Sequence, residues 1–389
     1  MSTHLAQTPQ MGWSTWNALK DEYNESTIHA IAERLNTLGL KDAGYNYLLL
    51  DEGWSDYNRT DDGFLQANSS TFPSGISALS SYVHNKGLKL GLYGDSGILT
   101  CGFRPGSLGF EERDALTLAN WGIDYWKYDN CGGYAGMTRA PQERFGVMRD
   151  ALMKSGREIF YAVCEWGFQF PWLWGGNIGH SYRISGDITA TFTNETACQC
   201  KTAYCLNTGY AGCSILTILR KMREISPFQT PGHWLDMDML EIGVANMTLH
   251  MQQTHMAFWA ALKSPLIIGA DLSRISAESL GVLMNRDIIA LNQDALGKAV
   301  RYVDGDGVGG SVKGEVQVWV GEVEEGYVVL VFNERSYPGD VRVAFDDLGL
   351  ELGGGMVSVR ELWSGEDWGT GDSVEVNLQA YQTIVLKLT

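Results

Sequence analysis

Residues 115–129 read Ala115-Leu116-Thr117-Leu118-Ala119-Asn120-Trp121-Gly122-Ile123-Asp124-Tyr125-Trp126-Lys127-Tyr128-Asp129. Three signals follow one another in them. Apolar residues at helical spacing run to Trp121, Gly122 suits the left-handed C-terminal cap of a helix, and a short apolar strand from Ile123 to Tyr128 ends on the acid Asp129. The same unit occurs three more times. Ile28 to Leu38 is followed by Gly39 and by Tyr45 to Leu50, ending at Asp51-Glu52. Ile76 to His84 is followed by Gly87 and Leu88 to Tyr93, ending at Asp95. Phe145 to Met153 is followed by Gly156 and Ile159 to Val163, ending at Cys164-Glu165. The four glycines lie 48, 35 and 34 residues apart, the length of a helix plus a strand rather than of a solenoid repeat.

Apolar strands alternating with helices specify a parallel sheet covered on both faces. Further strands are expected near Gln10 to Trp16, Tyr182 to Ile188, His233 to Leu240 and Pro265 to Ala270, the last after a helix from Leu249 to Leu262. Eight such units make an α/β fold, a (β/α)8 TIM barrel, assigned to residues 1–298. From Ala299 the apolar period changes from 3.6 to 2, as in Val316, Val318, Val320 and Val341, Val343, Phe345. Asp304-Gly305-Asp306-Gly307 and Gly353-Gly354-Gly355 supply turns. Residues 299–389 are therefore read as a C-terminal antiparallel β-sandwich domain. It carries no convergent acid cluster at strand ends and is expected to be a stabilising or carbohydrate-adjacent module rather than the site of chemistry.

The chain has 389 residues, 44% apolar and 19% charged, enough to bury a large core. Its 29 basic and 46 acidic side chains leave a formal charge of −17, which repels phosphate backbones and anionic membranes, so nucleic acid and membrane are not expected partners. No apolar run reaches the ~18–20 residues of a membrane span, and the first residues lack the basic-then-apolar pattern of a signal peptide. Yet Asn24, Asn58, Asn68, Asn194 and Asn246 are Asn-x-Ser/Thr acceptors, and four of the seven cysteines crowd at Cys198, Cys200, Cys205 and Cys213. That cluster lacks the paired Cys-x-x-Cys half-sites and nearby His of a zinc knuckle, and is read as disulfides. The expectation is a secreted glycoprotein whose signal has been removed.

In a barrel of this kind the active site lies where the strands end. The tips gather Trp16, Asp51, Glu52, Tyr93, Asp95, Lys127, Asp129, Glu165, Arg183, Asp187, Asp236 and Asp238 around one mouth. Carboxylates accept sugar hydroxyls and aromatic faces pack on C–H surfaces, so the bowl suits a neutral, hydroxyl-rich ligand. Cleavage of a glycosidic bond needs one ionised and one protonated carboxyl. Strand alternation places Lys127 and Asp129 on one face, and a neighbouring ammonium favours an ionised Asp129, the better nucleophile. Asp187 follows Ile184-Ser185-Gly186 in a looser, more apolar tip and is the candidate acid. The residue pattern alone leaves the two roles open. The tips lack the His of a divalent-metal hydrolase, and Asp56, Asp61 and Asp62 lack the calcium-loop pattern, so no metal or cofactor is expected. The remote alternative, a non-catalytic carbohydrate-binding protein on this scaffold, would keep the aromatic walls but could lose either acid, and both are present.

The chain resembles glycoside hydrolase family 27, the α-galactosidases, over nearly its whole length. The resemblance is carried by Thr8-Pro9-Gln10-Met11-Gly12-Trp13, Leu50-Asp51-Glu52-Gly53-Trp54, the stretch Tyr82 to Gly91, Trp126-Lys127-Tyr128-Asp129-Asn130-Cys131, Cys164-Glu165-Trp166, Trp234-Leu235-Asp236-Met237-Asp238-Met239-Leu240 and Ile289-Ala290-Leu291-Asn292-Gln293-Asp294. The segment from Phe170-Pro171-Trp172-Leu173-Trp174 through the clustered cysteines resembles the fungal branch. The resemblance implies a retaining exo-glycosidase acting on an oligosaccharide or a polysaccharide side chain. Asp129 is then the nucleophile and Asp187 the acid/base, with carboxyls about 5–5.5 Å apart. Trp16, Asp51, Glu52, Tyr93, Lys127, Glu165, Arg183 and Asp238 would line the subsite for the terminal sugar. It also implies a Cys101–Cys131 disulfide. Within the later cluster Cys198–Cys213 and Cys200–Cys205 are the nested pairs expected, out of the three connectivities that four cysteines allow, and Cys164 is left over as a buried free thiol.

Two positions bear on the substrate. Glu165 stands where relatives acting on N-acetylgalactosamine have a small residue, and is expected to bond a free 2-hydroxyl. Glu52 stands where the family usually has Asp facing the sugar's 4- and 6-hydroxyls. Its extra methylene is expected to intrude there and to favour a sugar without the C6 hydroxymethyl, so that β-L-arabinopyranosidase activity is the alternative to α-galactosidase, with dual activity. A methylene-sized change is worth about 10–200-fold.

Overall fold

The computed structural model describes residues 3–133, 139–193, 213–244, 246–303, 315–352 and 356–389. Eight parallel strands make one sheet: β1 (Met11–Ser14), β2 (Tyr47–Leu49), β3 (Lys89–Asp95), β4 (Tyr125–Asp129), β5 (Phe160–Val163), β6 (Ser181–Arg183), β7 (Trp234–Asp236) and β8 (Leu266–Ile268). β8 pairs back to β1, and a parallel bridge from Leu240 to Ile268 joins the end of β7 to β8 and closes the ring. The expected α/β barrel is the one observed.

The repeat read from residues 115–129 shows why. The helix Glu111–Trp121 buries Ala115 and Leu118, and opens with Glu111, Glu112 and Asp114, whose charges suit its N-terminus. It ends at Gly122, φ +74°, whose N–H closes onto Leu118 and Ala119 carbonyls. Gly39, Gly87 and Gly156 also take positive φ. The helix starts four residues before the expected Ala115, because its polar first turn carries no apolar periodicity to read.

Alternation along β4 sends Tyr125 inward, and Lys127 and Asp129 follow at the same two-residue spacing, while Trp126 and Tyr128 join the layer between strands and helices. Low in the barrel the lumen is filled by Tyr47, Tyr125, Phe160 and Trp234, with Tyr125 and Phe160 stacked at 5.0 Å. Above this plug the inward side chains become polar, and β3 and β4 are registered so that Asp95 faces Asp129 and Tyr93 faces Lys127.

Several strands are shorter than expected, and two of these differences, in β6 and β7, shape the mouth. β6 stops at Arg183 because the guanidinium turns back onto the Ser185 carbonyl at 3.1 Å, so Ile184 to Asp187 form a loop. Ile188–Thr189 instead pair with Cys213–Ser214 in a small separate sheet. β7 stops at Asp236 because Asp238 takes φ +76°, with its carbonyl held by the Trp259 indole at 2.7 Å.

After the helix Arg286–Gln293 the chain enters antiparallel strands, starting with Arg301–Tyr302 and continuing through Val316–Val323 and Gly326–Asn333 to Thr383–Leu388. A six-stranded sheet and the pair Gly339–Ala344 with Ser373–Leu378 enclose their own valine-rich core. The helix Leu249–Ala261 is buried on nearly every side because its Phe258 packs between Trp319 and Phe332, at 5.5 and 5.6 Å. No described helix is long and apolar enough to cross a membrane.

Candidate active site

A cavity of about 270 Å³ opens at the C-terminal ends of the strands. Trp16, Asp51, Glu52, Tyr93, Lys127, Asp129 and Asp187 all line it. Sequence reasoning missed four lining groups: Trp166, Gly186 and the two residues of the Cys101–Cys131 disulfide, whose Cα atoms are 5.1 Å apart. Trp166 has no signal in residue spacing. It neighbours Glu165, and its positive φ of 54° swings the chain so that the indole, not the carboxylate, faces the cavity.

Asp51 and Lys127 form an ion pair of 2.6 Å at the cavity floor, so the close partner of Lys127 is Asp51 rather than Asp129. Asp51 Oδ1 accepts the Glu52 N–H, and its own N–H donates to Thr15. Burial opposes the Lys127 charge, but its acidic surroundings, Asp51 foremost and Asp129 among them, hold its pKa well above the ordinary lysine value. Asp129 Oδ2 accepts the Tyr93 hydroxyl at 3.1 Å and Oδ1 accepts the Asn130 N–H at 2.9 Å. Burial nevertheless outweighs Lys127 and pushes Asp129 up to about 6. Lys127 acts downward, in the expected sense, but burial is the larger effect and leaves the carboxyl higher than its lysine neighbour alone would set it.

Asp187 departs from expectation in the opposite direction. Its side chain is 60% exposed and pairs with Arg183 at 3.1 Å. Burial of its surroundings works upward, but Arg183 and Lys127 together hold it below the usual aspartate range. The apolar tip read from Ile184-Ser185-Gly186 is therefore an ion-paired one. Arg183 also binds Asp238 at 2.8 Å, and Asp238 accepts the N–H groups of Ile188 and Met239. Asp238 thus clamps the loop that carries Asp187. It faces, with Arg183, Asp236 and Cys164, a smaller inner void of about 40 Å³ beneath the mouth, large enough for an ordered water.

Glu165 is corrected more strongly. It is fully buried, with Oε1 accepting from Asn130 at 3.3 Å and Oε2 without a partner among the described residues, and burial drives its pKa well up. It does not line the cavity, so bonding of a 2-hydroxyl by Glu165 is not what this arrangement provides. Asp95 likewise does not line the cavity. It accepts the N–H groups of Gly97, Cys131 and Gly132, tying the loop after β3 to the loop after β4. Asp95, Cys101, Asp129 and Cys131 lie close enough to suggest a metal site, but both sulfurs are committed to the disulfide. Cys164 is the buried thiol expected, 3.8 Å from Arg183. Asn194, Cys198, Cys200 and Cys205 lie outside the described residues, so the nested cysteine pairs do too. Of the other acceptors, Asn24, Asn58 and Asn246 are exposed and Asn68 is half-buried.

A family model described as "Alpha galactosidase A" matches residues 8–294, and one described as "Alpha galactosidase C-terminal beta sandwich domain" matches residues 313–388. The chain belongs to glycoside hydrolase family 27. It is 40% identical over 392 residues to α-galactosidase 3 of Arabidopsis thaliana, covering 100% of this chain and 83% of that one. The structure of α-galactosidase I from Mortierella vinacea superposes with a TM-score of 0.93 at 36% identity, covering 100% and 98% of the two chains. An α-galactosidase from Saccharomyces cerevisiae solved with raffinose gives 0.90 at 31% identity, covering 98% of each. A family 27 β-L-arabinopyranosidase from Geobacillus stearothermophilus shares the fold, with a TM-score of 0.82 at 21% identity over 100% and 97% of the chains. The protein is a family 27 glycoside hydrolase, and carboxylates, Lys127 and two indoles converge on its strand-end cavity.

Proposed function

We propose that this family 27 enzyme is a retaining exo-glycosidase that releases terminal α-D-galactopyranosyl residues from oligosaccharides such as raffinose or from polysaccharide side chains. The observation that carries the reading is that Asp129 and Asp187 line one cavity and feel each other's charge there. An Asp129 oxygen attacks C1 and forms a glycosyl ester while Asp187 gives its proton to the leaving oxygen. Water then attacks C1 and gives its proton to Asp187, the ester bond breaks, and the sugar leaves with its anomeric configuration retained. Asp51 and Lys127 meet sugar hydroxyls at the floor, and Trp16 and Trp166 supply apolar walls. Residues 1–298 are the catalytic barrel and 299–389 the supporting β domain. Secretion, with glycans on the exposed Asn24, Asn58 and Asn246, fits the Cys101–Cys131 disulfide, since such bonds persist in oxidising compartments.

The second reading, β-L-arabinopyranosidase with dual activity, rests on Glu52, which lines the cavity. Comparison of p-nitrophenyl α-D-galactopyranoside with p-nitrophenyl β-L-arabinopyranoside tests the order. The galactoside is expected to have the higher kcat/KM and to yield the α-anomer first by NMR. A far faster arabinoside would reverse the assignment.

The pH dependence follows from the pair. Only the form with one proton on Asp129 and Asp187 together is productive, whichever carboxyl holds it in the free enzyme. Below the lower pKa, itself below the usual aspartate range, both are protonated and the nucleophile is lost. Above about 6 both are ionised and the acid is lost. The kcat/KM profile is expected to be an acidic bell with its alkaline limb near 6, and an enzyme fully active at pH 8 would contradict it.

A further inference from the structure

Glu52 does not project freely into the cavity. Its Oε2 accepts the Gly102 N–H at 2.8 Å, and Oε1 pairs with the Arg104 guanidinium at 3.3 Å. A Cβ at residue 102 would lie 2.7 Å from both Glu52 Cγ and Cδ, so the extra methylene occupies the space left by the missing side chain of Gly102. Arg104 is anchored independently of Glu52: its Nε donates to the Ser55 carbonyl at 3.0 Å, its N–H to Thr100 Oγ1 at 3.0 Å, and its guanidinium lies 4.7 Å from the Tyr57 ring centre. The anchor is fixed and the glutamate conforms to it.

We propose that Gly102 and Arg104 are specificity-determining positioning residues, which draw Glu52 back against the loop after β3 and keep room in the sugar site for a C6 hydroxymethyl group. The proposal rests on the galactosidase reading and deepens it. It explains how a side chain one methylene longer than aspartate is compatible with a galactoside: the added length is taken up at Gly102 rather than in the cavity. Cys101 lines the cavity and is bonded to Cys131, so the disulfide holds this retracting loop beside the site.

The readout is the ratio of kcat/KM for the galactoside to that for the arabinoside, which a general loss of folded enzyme leaves unchanged. Gly102→Ala is expected to displace Glu52 toward the cavity, and Gly102 has no positive φ to make alanine strained. Arg104→Gln is expected to release Glu52 in the same sense. Each should lower the ratio by about 10-fold, the scale of one methylene in a pocket, and Arg104→Lys should restore part of it. In a Glu52→Asp background, whose shorter carboxyl falls short of both partners, Arg104→Gln should leave the ratio within about twofold. An unchanged or raised ratio in both single variants, or an equal fall in the Glu52→Asp background, overturns the proposal. A wild-type enzyme that cleaves neither glycoside would instead overturn the galactosidase reading itself.

Discussion

Asp129→Asn is expected to lower kcat/KM on an aryl α-galactoside by about 10⁴-fold or more, the scale seen when a nucleophile that works with a partner is removed. The same substitution is expected to raise the melting temperature at neutral pH. The sign follows from the structure. Burial lifts the folded-state pKa of Asp129 to about 6, above the ~3.9 of an unfolded aspartate. The fold therefore binds this proton more tightly than the unfolded chain does, and the stability associated with it falls as pH rises between those two values. Above about 6 the buried anion is a net cost that asparagine removes, its amide oxygen still accepting the Asn130 N–H and its NH2 now donating to the Tyr93 hydroxyl oxygen. A gain of a few degrees is the expected size. Activity and thermal melts of one preparation check both, and a 2-deoxy-2-fluoro galactosyl donor should leave its label on the peptide carrying Asp129. Full activity in the variant, or a label elsewhere, would sink the assignment.

The barrel was legible because its signals are local. Gly122 and its three counterparts end helices whatever lies around them, and an acid after a run such as Tyr125 to Tyr128 marks a strand tip from sequence order alone. Position around the mouth was legible for residues whose side chains follow strand alternation, which is why Tyr93, Lys127 and Asp129 fall where expected. It failed where the backbone leaves regular geometry. Glu165 and Trp166 exchange places because of the positive φ at Trp166, and the β6 tip ends early because Arg183 bonds back to Ser185. Neither effect has a signature in residue spacing. Charge environment was legible least. That Lys127 pairs with Asp51, leaving burial to decide Asp129, depends on contacts across 76 residues. The role of Gly102 is similar: it looks like one more loop glycine until the side chain of Glu52, 50 residues earlier, is seen lying in the space above it.

Asp187→Asn separates the two halves of the reaction. Loss of the acid should slow cleavage of raffinose, whose leaving group is a poor one, by about 10²–10⁴-fold. A dinitrophenyl galactoside needs no proton to depart, so formation of the Asp129 ester should continue on that substrate. Its hydrolysis, which still needs a base, should become limiting, giving a burst of phenolate followed by a slow steady state and a lowered KM. Azide needs no base to attack, and should raise the turnover of this variant while leaving the wild type little changed. The alkaline limb near 6 should disappear from the rate of the burst, because the group that must stay protonated is gone. Disruption of the fold is not expected to mimic this pattern. The Asp187 side chain faces solvent, and Arg183 keeps both Asp238 at 2.8 Å and the Ser185 carbonyl when Asp187 is neutral. Equal losses on raffinose and on the dinitrophenyl glycoside, with no azide effect, would show that Asp187 acts by holding Arg183 and the loop rather than by moving a proton. The acid would then have to be sought among the other carboxyls of the cavity, where Asp51 and Glu52 are both committed to cations.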